Sequence, residues 1–257
     1  MRFDVITLFP ELFAPFLTSG INRRAFESGA IDLKFWQLRD FAVGTYRRID
    51  DRPFGGGPGM VMMAEPLEKC LSAIRDDRAL QNPEEKQTPV VLFSPIGQLL
   101  NHGGVEAWSS SEGAILICGR YEGLDQRFID AHVDVQISLG DFVMSGGEIA
   151  ALALLDAVAR LQPGVLNDEG SHQMDSFNPA LDGLLDCGHF TRPEVWNQEG
   201  VPAVLMSGHH ADIAQWRREQ SLGLTLKVRP ELIEAARSAG KLSPKDEHFL
   251  THFKGNP

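Results

Sequence analysis

The chain has 257 residues, 43% hydrophobic and 23% charged. That ordinary globular composition excludes a disordered tail, a collagen and a small disulfide scaffold. Lys and Arg number 24 against 35 Asp and Glu, a formal net charge of −11, so the protein does not coat nucleic acid by bulk charge and only a local basic patch keeps that role open.

The N-terminus, MRFDVITLFPELF, carries Asp4 and Glu11 within its apolar stretch and has no small-residue cleavage site. It does not read as a signal peptide. Residues 3–8 read as a strand, 11–17 and 22–27 as short helices, and 31–38 as a partly alternating strand. A loop rich in glycine and arginine follows at 47–59. Residues 64–76 are amphipathic and helical, and 76–87 form a polar surface connection. Three tight apolar runs come next, 89–93, 114–118 and 133–137, each followed by glycine. Runs of that length fit buried parallel strands. The stretches 101–109 and 124–131 suit crossover helices. The strongest helix covers 146–161; it opens on Ser145 and Glu148 in capping-box spacing and stops at Pro163-Gly164. Residues 164–182 are polar and read as a linker or mobile loop. Helical patterns return at 211–220, 230–238 and 243–253. The expected architecture is α/β with a parallel sheet over 1–163, a linker over 164–182 and a small helical domain over 183–257. No run reaches the roughly 18 apolar residues of a membrane span. Cys70, Cys118 and Cys187 are widely spaced and odd in number, which fits a reducing cytoplasm. A soluble cytoplasmic protein with no membrane partner is expected.

Charge divides along the chain. Residues 209–257 hold eight basic residues against six acidic ones, so an anionic polymer would meet this tail and the N-terminal arginines before the rest. By itself this also describes a normally mixed helical surface.

Four stretches are rich in glycine: RPFGGGPGM (52–60), SPIG (94–97), CGRYEG (118–123) and ISLGDFVMSGGE (137–148). The last three each follow an expected strand. Ligands of open α/β sheets bind beyond the carboxyl ends of the strands, so three such loops together would form a pocket with much exposed backbone. There is no GxxxxGK[ST] and no GxGxxG after the first strand, so neither a P-loop nor a dinucleotide fingerprint is present. The three loops hold one cation, Arg120, against Glu122, Asp141 and Glu148. Phosphate is a poor match. A cationic ligand whose adenine bonds to backbone is a better one, and S-adenosylmethionine has both features.

Together GGGPGM (55–60), CGRYEG (118–123), GDFVMSGGE (140–148) and LDCGHFTRP (185–193) resemble the bacterial tRNA (guanine-N1)-methyltransferase family of the SPOUT class. The resemblance spans nearly the whole chain. It implies a parallel sheet with a deep trefoil knot in a cofactor-binding methyltransferase domain, 1–163, and a C-terminal helical tRNA-binding domain, 183–257. It also implies a homodimer with each active site at the interface. The implied reaction is methylation of N1 of guanosine at tRNA position 37, next to the anticodon. N1 bears a proton, so transfer wants a general base there and a donor near O6, where negative charge develops. The resemblance places these roles on Asp175 and Arg160. Read alone, Arg160 is a cation at a helix C-terminus and Asp175 a turn or N-cap residue.

For the cofactor the resemblance implies Ser94, Pro95 and Gly97; then Gly119, Tyr121, Glu122 and Gly123; then Ile137, Ser138, Leu139, Gly140, Val143, Met144, Gly146 and Gly147. The chain departs from the family in SPIG for a usual SPQG and in Gly188-His-Phe190 for a usual Pro-His-Tyr. Arg23, Arg24, Arg47, Arg48, Arg52, Arg192, Arg217 and Arg218 are the tRNA candidates, since guanidinium suits phosphate and stacking. Trp216 reads as a core residue of its helix. His209-His210 and the pair His248 and His252 show no HExxH and no third ligand. Magnesium assists the family's reaction, and no ligand set for it is legible. Two other readings stay open from sequence: a ribose 2′-O-methyltransferase of the same fold, and a non-catalytic RNA-binding protein that keeps the pocket.

Overall fold

Side chains of the first strand alternate between two cores, and this sets the architecture of the N-terminal part. In β1 (Arg2–Thr7), Phe3 and Val5 enter one apolar layer and Ile6 the other. A strand buried on both faces belongs inside a sheet. β1 lies between β2 (Asp32–Gln37) and β6 (Gly113–Ile117); with β5 (Val90–Leu99) and β7 (Val135–Ser138) they form a five-stranded parallel sheet of order β2-β1-β6-β5-β7. The computed structural model describes residues 1–84, 87–166 and 171–253. The chain divides into two compact units, Met1–Asn167 and Asp168–Pro257.

Between β1 and β2 run α1 (Ala14–Thr18) and α2 (Asn22–Glu27). The arginine-rich loop then holds a two-stranded ribbon, β3 (Asp50–Asp51) against β4 (Val61–Met62). The next helix, α3, covers Ala64–Gln81. It therefore continues through residues expected as a surface connection. The cause is Asp4, which is wholly buried in β1. A buried carboxylate needs a counter-charge. Arg78, on the last turn of α3, pairs with it, and Arg2 Nη2 lies 2.7 Å away. Glu85 and Lys86 of the expected connection lie outside the described residues.

β5 (Val90–Leu99) also outruns its expected end at 93. It pairs with β7 (Val135–Ser138) over Val91 to Phe93, bulges, and pairs again at Gln98 and Leu99. The crossovers are α4 (His102–Ser109) and α5 (Gln126–His132). α6 is Glu148–Arg160. Helices α2, α4 and α6 supply Ala25, Val105, Ala151 and Leu155 to one core. Helices α3 and α5 supply Leu71, Ile74 and Phe128 to the other. The expected capping box of α6 does not form: its N-cap is Gly147, with no side-chain bond.

The second unit is described from residue 171. Of the stretch expected to be a linker, Val165 is buried in the first unit's core, and 167–170 lie outside the described residues. Residues 171–182 make two 3-10 turns, Ser171–Met174 and Pro179–Leu181. They are held by Phe177 N donating to Leu184 O at 2.8 Å and Asp186 N to Ser176 Oγ at 2.9 Å. A hairpin of β8 (Val195–Trp196) and β9 (Glu199–Gly200) follows. The helices are α7 (Ala203–Met206), α8 (His210–Val228), α9 (Pro230–Ser238) and α10 (Pro244–His252). Leu184, Leu222, Ile233, Ala236 and Leu250 form their core. α8 runs past its expected end at 220 because Ser221 and Thr225 are buried in it. They hold the irregular segment at Leu185: Leu185 N donates to Thr225 Oγ1 at 3.1 Å, and Ser221 Oγ donates to Leu185 O. No described helix is long and apolar enough to cross a membrane.

Candidate active site

The order β6-β5-β7 sets the carboxyl ends of three parallel strands side by side. The bulge within β5 and the turns leaving β6 and β7 are three of the glycine stretches. They enclose a cavity of about 380 Å³ in the first unit, within the range of small-ligand clefts. Every residue expected on the cofactor lines it except Gly97. A Cβ at Gly97 would stand 2.5 Å from Ile137 N. This glycine serves the close passage of β5 over β7, not the wall.

Two loops are stitched to each other. Gly147 N donates to Gly119 O at 2.9 Å, and Arg120 bridges Gly146. A Cβ at Gly147 would lie 2.8 Å from Cys118 Cα, so only glycine permits that approach. Tyr121 sits at φ 60°, a conformation seldom adopted by residues with a Cβ. The turn presents its ring to solvent, half exposed, at the cavity edge.

Arg120 and Glu122 are the charged residues on the cavity wall among those described. Arg120 is already engaged. Its Nη2 lies 2.9 Å from Glu148 Oε2, its Nη1 donates to Ser145 O at 3.3 Å, and its guanidinium stacks 4.4 Å over the Phe9 ring. Glu148 is buried and also accepts from Thr7 Oγ1 at 2.8 Å. That explains the missing cap of α6: the side chain that would have closed the box is drawn into a buried ion pair. With Arg120 neutralised, the wall carries the net charge of Glu122. It suits a cation and disfavours phosphate. Burial, together with the nearby Glu148 charge, pushes the Cys118 thiol well above its ordinary value.

Sequence reading missed Gln136. It lines the cavity, and its Oε1 is buried with no hydrogen-bond partner. An exocyclic amine would satisfy that acceptor. The available signal was a polar side chain inside an apolar strand run. Phe142, Ile96 and Arg120 also line the cavity.

The remaining expected residues are spread over both units. Arg160 ends α6, half-buried, in the first. Asp175 follows a 3-10 turn of the second, where its backbone N donates to His172 O at 3.2 Å. Arg23, Arg24, Arg47, Arg48 and Arg52 are exposed in the first unit, and Arg192 and Arg217 in the second. Arg218 differs. It is half-buried, 2.9 Å from Asp182 and 3.1 Å from Asp246, so its guanidinium holds the helical unit together. Trp216 is half-buried and packs edge-on to Phe190 at 6.0 Å. His248 and His252 stack at 4.3 Å. Among the described residues no three His, Cys, Asp or Glu side chains converge as metal ligands.

Fold and site define an α/β enzyme domain with a ligand cavity beyond a parallel sheet, followed by a small helical unit. The family model described as tRNA (Guanine-1)-methyltransferase TrmD matches residues 1–235. A tRNA (guanine-N(1)-)-methyltransferase of Polaromonas sp. strain JS666 is 68% identical over 257 residues, covering 100% of this chain and 98% of its own. That of Paracidovorax citrulli is 67% identical over 255 residues, with 99% of each chain covered. That of Bordetella pertussis is 55% identical over 255 residues, covering 99% of this chain and 98% of its own. The chain belongs to the tRNA (guanine-N1)-methyltransferase family.

Proposed function

We propose that the chain transfers a methyl group from S-adenosylmethionine to N1 of guanosine at tRNA position 37. The observation that carries this is the cavity: three glycine stretches on adjacent parallel strands, walled by backbone, with its one cation locked to Glu148. The adenine would bond to backbone and to Gln136 Oε1, and Glu122 would face the cationic end. The cofactor, when bound, supplies an electrophilic methyl on a sulfonium. Asp175 takes the N1 proton as the N1–methyl bond forms, and Arg160 donates to O6 as charge builds there. The protonated Asp175 then returns its proton to water.

Asp175 and Arg160 belong to different units, and the reading includes a homodimer with the site built at its interface. Supporting it, Ile96 and Val143 are 79% and 85% exposed at the cavity, and Leu99, Phe142 and Ile149 are exposed as well. Apolar side chains gathered in this way mark a surface meant to be covered. The same reading gives the cofactor domain the family's trefoil knot, places the protein in the cytoplasm, and assigns tRNA phosphates to Arg23, Arg24, Arg47, Arg48, Arg52, Arg192 and Arg217. Magnesium enters as an assisting ion with no residue assigned. The relatives' names favour N1 transfer over the ribose and non-catalytic readings.

The test uses methyl-labelled S-adenosylmethionine with unmodified tRNA carrying guanosine at position 37, beside a transcript with adenosine there. Label on the first alone, with a reverse-transcription stop at that base and none with Asp175→Ala, is the expected result. Label on both transcripts would overturn the target site. Binding without transfer would leave an RNA-binding protein.

A further inference from the structure

We propose that Gly59 is a positioning residue: its bare α-carbon holds the Glu122 carboxylate in place to receive the cationic end of the cofactor. The inference rests on the reading of the cavity given above. The loop at 55–60 has no other assigned role and does not line the cavity.

Two observations meet here. The first is contact. A Cβ at Gly59 would lie 2.2 Å from Glu122 Oε1, 2.5 Å from its Cγ and 2.7 Å from its Cδ. The stem and the carboxylate of Glu122 therefore both rest on the space that glycine leaves. The second is backbone anchoring. Glu122 N donates to Met60 O at 3.0 Å, Met62 N to Gly123 O at 2.9 Å and Asp125 N to Met62 O at 2.9 Å. Met62 and Leu124 form a parallel bridge. Residues 60–62 and 122–125 thus run as a short paired ribbon, and the spacing of Gly59 from Glu122 is fixed by main chain.

Glu122 is otherwise exposed. An exposed glutamate samples several rotamers, and ordering one of them costs entropy each time a ligand binds. A backrest that is already in place removes part of that cost. Any side chain at position 59 must push the carboxylate away, because the backbone pairing prevents the loop from retreating. The displaced group is an exposed, flexible side chain and no backbone atom lies among the closest contacts of the added Cβ, so the fold survives and the site does not.

Two glycines of the loop have nearly the same positive φ and differ in surroundings. Gly59 has φ 80°, and Gly56 has φ 78° with nothing within 4 Å of an added Cβ. Gly56→Ala therefore reports backbone strain alone, and Gly59→Ala reports strain plus the Glu122 contact.

The experiment titrates the full chain, without tRNA, with S-adenosylmethionine and separately with methylthioadenosine, which lacks the sulfonium and the ammonium. Gly59→Ala is expected to weaken S-adenosylmethionine about tenfold, the loss of one hydrogen bond to a charged group. It should leave methylthioadenosine within about twofold, as Gly56→Ala leaves both ligands. In a Glu122→Ala background there is nothing to displace, so adding Gly59→Ala should cost no further affinity. That double variant also keeps the test open if the single one is unstable. Equal effects of Gly59→Ala and Gly56→Ala, equal loss of both ligands, or an undiminished loss in the Glu122→Ala background would each overturn the inference. A wild-type chain that binds neither ligand would overturn the reading of the cavity and this inference with it.

Discussion

Helices α6 and α10 begin with the same kind of sequence, a serine followed three residues later by a carboxylate, and they begin differently. At α10 the box closes: Ser243 Oγ accepts from Asp246 N at 3.1 Å, and Ser243 N donates to Asp246 Oδ2 at 2.9 Å. At α6 it does not. The difference lies in what else each carboxylate can reach. Asp246 also accepts from Arg218 on both oxygens and serves cap and ion pair together. Glu148 is buried between Thr7 and Arg120, and a buried ion pair outweighs one more bond at a helix end. A local motif therefore holds only where no stronger distant partner competes.

Removing the two carboxylates breaks this comparison most sharply. Glu148→Ala leaves Arg120, whose side chain is 19% exposed, without a counter-charge, and is expected to cost about 2 kcal/mol in urea unfolding of the first unit. It should also weaken S-adenosylmethionine, because Arg120 carries the turn that presents Tyr121 and Glu122. Asp246→Ala removes the carboxylate half of the capping box and the ion pair with half-buried Arg218, about 2 kcal/mol, read by hydrogen exchange in α10. It should leave cofactor affinity unchanged.

Acid sharpens the contrast. Burial alone would raise the Asp246 carboxyl, but hydrogen bonds from Arg218 and Ser243 outweigh it and hold it below the usual carboxylate range. Its folded value lies below its unfolded one, near 3.9. Its contribution is therefore complete above about pH 4 and lost as pH falls through the folded value. Helical signal from α10 should decline in that window, and Asp246→Asn should flatten the dependence. A wild-type profile that Asp246→Asn reproduces would remove this residue as the cause.

The serines give smaller effects. Ser243→Ala should cost about 1 kcal/mol, and Ser145→Ala less than about 0.5. Equal costs would mean that the α6 box forms in solution. Last, Cys70, pushed up to about 12 by burial and the nearby Asp4 charge, and Cys118 should resist alkylation at neutral pH until the first unit unfolds. Mass spectrometry of labelled peptides checks this.

Where sequence reading succeeded, the cause was local. α9 was legible over 230–238 because proline opens it and its apolar spacing is regular. The three buried strands were legible as apolar runs, and the turns after two of them and the bulge of β5 as glycine stretches. Where it failed, the partner lay far along the chain. Arg78 looked like surface because Asp4 is invisible from its own neighbourhood. Ser221 and Thr225 looked like the end of α8 because Leu185 supplies their partners. The ion pairs of Arg218 were hidden in the same way, because charge alone does not reveal Asp182 and Asp246. The loop at 55–60 could be recognised, but its seat beneath Glu122 required the β4 pairing to be seen.

β1 has a further consequence, for how the chain is made. Its two neighbours are β2, close behind it in sequence, and β6 at Gly113–Ile117. During synthesis β1 and β2 can meet early, but one edge of β1 stays open until β6 has left the ribosome. An open apolar edge is a template for wrong pairing, and pairing across such a sequence separation is slow. Nascent chains stalled before residue 113 should therefore depend on chaperones more than chains stalled far enough beyond 118 for β6 to have cleared the ribosome.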